Sequence, residues 1–102
     1  MIPHITIEGI IAHVAAFYRV TLRDVLSHRR DAQSVLARQV AMSLARDLVL
    51  ATIPVIGRAF RRDYTTVRDA LGHVRGLLAD PQFAATYAGL RRQLLAPART
   101  AR

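Results

Sequence analysis

The reading of the fold turns on Ile53-Pro54-Val55-Ile56-Gly57-Arg58-Ala59-Phe60-Arg61-Arg62-Asp63-Tyr64-Thr65-Thr66-Val67. Pro54 fits the first turn of a helix, where its missing N–H is harmless, so Thr52 or Ile53 opens a short helix running to about Phe60. Arg61 and Arg62 make a turn. Asp63 is placed to cap a second helix, because its carboxylate can accept the orphan N–H of Thr65 or Thr66. That helix extends from Tyr64 to about Leu78, with Val67, Ala70, Leu71, Val74, Leu77 and Leu78 as its apolar stripe. A short helix, a tight turn and an amphipathic second helix form the helix-turn-helix pattern, whose second helix offers its first residues to a DNA major groove. Here those residues are Asp63, Tyr64, Thr65 and Thr66. A Thr methyl packs on a thymine methyl, a Thr hydroxyl bonds phosphate or a base edge, and Asp accepts from a cytosine or adenine amino group.

Outward from this segment the spacing stays helical, and strand-like alternation is nearly absent. Ile7, Ile10, Ile11, Val14, Phe17 and Tyr18 form the stripe of a first helix with Thr6 as its cap. A short helix follows at about Leu22 to Leu26, capped by Thr21. Residues Ser27 to Gln33 are polar and basic and read as a loop. A long helix is expected from about Ser34 to Leu50, burying Val40, Ala41, Leu44, Ala45 and Leu48. Gln39, Ser43 and Arg46 share another face of it, with Arg38 beside them. Asp80-Pro81 breaks the chain before a last helix carrying Phe83, Tyr87, Leu90 and Leu94. Residues 96–102 lack apolar periodicity and are expected to be a disordered tail. The expectation is an all-α domain over residues 1–95, a six-helix bundle containing a helix-turn-helix.

Bulk properties narrow the partner. The chain has 102 residues, 52% of them hydrophobic, which suffices for one core. Fifteen basic residues, all Arg, face seven acids, for a net charge of +8. Such a domain attracts polyanions, nucleic acid first. Arg also forks onto phosphate and guanine edges, although GC-rich codon usage accounts equally well for the lack of Lys. With no Cys there are no disulfides, thiolate catalysis or thiolate zinc sites. His4, His13, His28 and His73 show no metal-ligand spacing. His73, on the second helix of the motif, is a candidate phosphate contact. No catalytic constellation is visible, and a phosphate loop is missing because there is no Lys, so neither enzyme activity nor a nucleotide, metal or other cofactor is expected. The longest apolar stretch, about Leu48 to Ile56, is interrupted by Thr52 and Pro54 and is about half the length a bilayer needs. No membrane contact is expected; the expected location is cytoplasmic, with the nucleoid.

Several blocks, in order, resemble a known family: Val14-Ala15-Ala16-Phe17-Tyr18-Arg19-Val20-Thr21, Asp24-Val25-Leu26-Ser27-His28-Arg29-Arg30, Ala37-Arg38-Gln39-Val40-Ala41-Met42, Leu44-Ala45-Arg46-Asp47-Leu48, Ile53-Pro54-Val55-Ile56-Gly57, Ala59-Phe60 and Arg62-Asp63-Tyr64-Thr65-Thr66-Val67. Together they are similar to the C-terminal DNA-binding domain of the bacterial chromosomal replication initiator DnaA, over about Ile5 to Leu94. The resemblance implies a Trp-repressor-like helical fold that binds a short asymmetric DNA box as one domain. It implies a loop arginine, Arg30, in the minor groove; backbone contacts from Arg38, Gln39 and Arg46; base contacts from Asp63, Tyr64 and Thr65; and Thr66 on phosphate or a thymine methyl. Arg61, Arg62 and Arg68 join them as candidate phosphate contacts or solvated charges. The implied role is sequence-specific binding of double-stranded DNA by a stand-alone domain, regulating replication initiation or transcription, with the full-length initiator as a further candidate partner.

The resemblance has departures. The family's Gly-Gly-Arg-Asp-His-Thr-Thr becomes Arg61-Arg62-Asp63-Tyr64-Thr65-Thr66, one residue shorter at the turn and without glycine. Tyr64 stands for His, Asp31 for a small polar residue, and Leu36-Ala37 for Arg-Pro. Tyr64 therefore reads either as a base contact or as packing against the first helix of the motif. The alternative function is a protein-interaction adaptor that keeps the fold and not the readout.

Overall fold

In the computed structural model, which describes residues 4–96, six α-helices and one π-helical turn follow one another. The first helix, α1, spans Ile7–Tyr18; Thr6 caps it by accepting the Gly9 N–H at 3.0 Å. Arg19 ends it in the left-handed region. The five-residue α2, Leu22–Leu26, starts with a full capping box, in which Thr21 and Asp24 each accept the other's N–H.

The central helix, α3, spans Ala32–Leu44 and packs against α1, α2 and α5. It begins two residues before the expected Ser34, because Asp31 caps it by accepting the Ser34 N–H at 3.1 Å. It does not run on to Leu50 as an α-helix either. Residues Ala45–Val49 form a π-helical turn that stops at a left-handed Leu50. Hydrophobic spacing carries no signal for such a turn; here it coincides with a polar bridge to the last helix. Tyr87 donates its hydroxyl proton to Asp47 at 2.7 Å, leaving Ser43 Oγ to donate to Tyr87 at 2.8 Å. Burial pushes the Tyr87 phenol well above its ordinary range.

The helix-turn-helix pair follows: α4, Ile53–Phe60, with Thr52 as cap and Pro54 in its first turn, then α5, Tyr64–Leu77, capped by Asp63. Last comes α6, Pro81–Leu95, capped by Asp80. The core draws on every α-helix: Ile10 and Val14, Val25, Val40 and Leu44, Ile56 and Phe60, Val67 and Val74, Leu90. Each such side chain contributes roughly 1.5–3 kcal/mol on burial. Three members of the expected stripes fall outside it. Phe17 is 50% exposed, its ring edge-on to Tyr18, Leu78 is exposed, and Leu77 is half-buried without packing on the core. All three sit at the C-terminal ends of their helices.

No described helix is long and apolar enough to cross a membrane. Apart from Ala96, the expected tail 96–102 lies outside the described residues.

Candidate nucleic-acid interface

The loop between α2 and α3 is shaped by its own polar side chains. Ser27 Oγ donates to Asp24 O and accepts the Arg29 N–H. Arg29 Nε bonds Asp31 at 2.8 Å and lies 3.8 Å from Asp24. The Arg29 hydrogen bond, followed by the Ser34 backbone N–H, holds the Asp31 carboxyl down at about 2. Arg30, next along, is exposed and has no hydrogen-bond or ion-pair partner among the described residues. Its guanidinium is available to an outside acceptor.

Beneath the loop lies Arg38. Its Nε donates to Val25 O at 2.6 Å, and its Nη2 reaches the carbonyls of Asp24, Ser27 and Arg29 at 3.0–3.1 Å. At 7% exposure it is the one buried charged side chain among the described residues. Burial, with the nearby Arg62 charge, lowers its proton affinity. The resemblance implies a DNA-backbone contact from Arg38; in the fold its head turns inward, onto carbonyls of α2 and of the loop that carries Arg30.

The turn between α4 and α5 is equally constrained. Arg61 takes φ 58° and ψ 47°, the left-handed region that favours glycine. Arg62 N donates to Gly57 O at 2.9 Å, so the turn folds back onto α4. A Cβ on Gly57 would lie 2.7 Å from Arg62 O, so only glycine lets the turn pass. The Arg62 side chain donates to Phe60 O at 3.0 Å and to Ser27 O across the molecule. Asp63 Oδ1 accepts the Thr66 N–H at 2.8 Å. That bond keeps its carboxyl below the usual range, so the cap is charged at neutral pH.

Loop, α3, turn and α5 together enclose an open groove of about 900 Å³. It brings Arg30, Gln39, Arg61, Arg62, Asp63 and Thr66 onto one surface, with Arg38 at its floor. Four of the expected residues lie outside it. Arg46 is exposed on the π-helical turn and donates to Ala51 O at 3.2 Å. Thr65 is exposed at the start of α5. Arg68 is exposed and only 3.6 Å from Asp69. Tyr64, 56% exposed, borders a second hollow of about 330 Å³ with Pro54 and Arg58 of α4, so it lies beside α4 and stays open to a ligand. The groove also includes His73, along with His28 and Asp69, which the sequence reading did not select. Thr66, Asp69 and His73 recur at three- and four-residue spacing, a signal for one face of α5 that was present in the sequence.

These features define a helix-turn-helix domain with a basic groove against its second helix. Residues 7–74 match the family model described as the bacterial dnaA protein helix-turn-helix, and the chain belongs to that family. The chromosomal replication initiator protein DnaA of Rhodopseudomonas palustris strain TIE-1 is 46% identical over 92 residues, covering 88% of this chain and 20% of that protein. The protein of the same name from Streptococcus thermophilus strain LMD-9 is 42% identical over 76 residues, 74% of this chain and 17% of its own length. A crystal structure of a DNA replication initiation factor superposes with a TM-score of 0.81 at 33% identity, covering 87% of this chain and 28% of that one. A replication initiator DnaA bound to AMPPCP and single-stranded DNA superposes with a TM-score of 0.77 at 33% identity, covering 85% of this chain and 27% of that one. The chain thus spans about a fifth of the length of the curated relatives it matches. The matched family model is of a DNA-binding motif rather than of a catalytic domain.

Proposed function

We propose that this domain binds double-stranded DNA in a sequence-dependent way and acts in replication initiation, by occupying initiator boxes, or at promoters. The observation that carries the reading is the groove, where an unpartnered Arg30 and the capped start of α5 lie on one surface of a domain with net charge +8. Duplex DNA matches that pairing: the start of α5 enters the major groove while Arg30 reaches the adjacent minor groove. Asp63 Oδ1 is held by Thr66 N–H, and its second oxygen is left to accept a base amino group. Thr65 and Tyr64 read beside it. Gln39, Arg46, Arg61, Thr66 and Arg68 contact phosphates, which give affinity without sequence information. Arg38 serves through the loop it supports.

Two substitutions test the division of labour. Thr65→Ala is expected to relax discrimination at one base pair by ~1–3 kcal/mol, whereas Arg46→Ala weakens every duplex alike and reduces the salt slope by about one. Identical effects of both on all duplexes contradict the reading. Single strands of the same sequences are expected to bind more weakly; equal affinity for single and double strands contradicts the duplex assignment.

A further inference from the structure

Ser27 O is the meeting point of two arginines from different parts of the chain. Arg38 Nη2, from α3, donates to it at 3.0 Å, and Arg62 Nη2, from the helix-turn-helix turn, donates to the same oxygen. The other arm of Arg62, Nη1, holds Phe60 O at 3.0 Å, at the end of α4. One planar fork therefore spans 35 positions of sequence, with one end on the α2–α3 loop and the other on the helix-turn-helix turn. The loop presents Arg30; the turn presents Asp63 and Thr66. Apart from the buried Arg38, no other described hydrogen bond joins this loop to a distant element at the groove.

We infer that Arg62 is a positioning residue that sets the loop carrying Arg30 in fixed register with the start of α5. This deepens the DNA-binding reading and rests on it for consequence, but the coupling itself is a property of the free protein. A base-pair step separates sites along a duplex by only a few ångströms, so two readers in adjacent grooves discriminate sequence only when the distance between them is fixed. Arg62 is half-buried and its two arms are committed to carbonyls, which distinguishes it from the exposed Arg61 beside it. Lysine cannot reproduce the link: its single ammonium keeps the charge but not a planar fork that holds two carbonyls at once.

The test compares Arg62→Lys, Arg62→Met and a control, Arg68→Met, first without DNA. Amide hydrogen exchange is read at Ser27 to Ala32, with circular dichroism as the check on folding. Both Arg62 variants are expected to raise exchange at the loop amides by about tenfold, the loss of one charge-assisted hydrogen bond, while the control leaves them unchanged. Unchanged loop exchange in both Arg62 variants overturns the coupling, whatever DNA does. With DNA, Arg62→Lys is expected to narrow the ratio of specific to random duplex affinity, and its effect is non-additive with Arg30→Ala. If Arg62→Lys matches the wild type in exchange and discrimination, and Arg62→Met merely lowers all affinities and the salt slope, Arg62 is a phosphate contact and the inference is wrong. If the exchange result holds but no duplex is discriminated even by the wild type, the coupling stands and the DNA reading fails.

Discussion

Two turns of this molecule carry the same three residues. Arg29-Arg30-Asp31 leads into α3, and Arg61-Arg62-Asp63 leads into α5. In both, the aspartate caps the following helix. The arginines behave in opposite ways. In the first turn the leading Arg29 is tied down by Asp31 and Asp24, and the second, Arg30, is free. In the second turn the leading Arg61 is exposed in a left-handed conformation, and Arg62 is committed to Phe60 O and Ser27 O. The same tripeptide sets the cap in both turns; the contacts each turn makes decide which guanidinium is left for a ligand. In the first turn Asp31 itself, with Asp24 behind it, captures the near arginine. At the second turn the backbone folds over Gly57 and aims the far arginine at a carbonyl 35 residues away.

The largest expected effect breaks the second turn alone. Gly57→Ala forces a Cβ into Arg62 O, so the turn must shift; a loss of about 1–3 kcal/mol of stability is expected in denaturant titration, with specific DNA binding lost at the same time. Next is the support under the first turn. Arg38→Met takes a donor from four carbonyls of α2 and the loop, of which Asp24 O keeps Ser27 Oγ and Ser27 O keeps Arg62, and is expected to destabilise by a similar ~1–3 kcal/mol. Its DNA defect should equal that of Arg30→Ala, and the double variant should be no worse than either alone. Additive losses would make Arg38 a direct contact.

Acid separates the turns more gently. Asp31 is held at about 2 against an ordinary 3.8, so its contribution is complete above 3.8 and is lost as pH falls through about 2. Asp31→Asn should therefore flatten the fall in melting temperature across that window while costing stability at pH 7. The smallest effect is Arg61→Gly. It removes the left-handed strain of a non-glycine residue, worth about 1 kcal/mol, and should raise the melting temperature slightly while weakening all duplexes alike.

Much of this fold was legible because capping and turn chemistry are local. Thr6, Thr21, Asp63 and Asp80 cap helices where cap-forming residues precede apolar periodicity, and Pro54 and Pro81 open theirs. Asp31 is the exception: set within a basic run, it reads as loop, which places the start of α3 two residues late. The π-helical turn at Ala45–Val49 leaves no trace in a periodicity near 3.6 residues. At the groove, Asp63 and Thr66 show in the sequence as the start of α5, Gln39 as part of a polar face of α3 and Arg30 through the family resemblance, whereas the inward turn of Arg38 does not show. A charged side chain reads as surface unless the carbonyls that bury it are known, and those come from residues 9 to 14 positions earlier.

The central claim is that the groove reads sequence and does not merely gather phosphate charge. The most direct measurement is a titration of the domain against duplexes carrying the DnaA-type box, a scrambled box and a random sequence, each at two salt concentrations. The account predicts tighter binding to the box, with a preference that survives the higher salt while the affinities themselves fall. Equal binding to all three duplexes, vanishing together as salt rises, would contradict it.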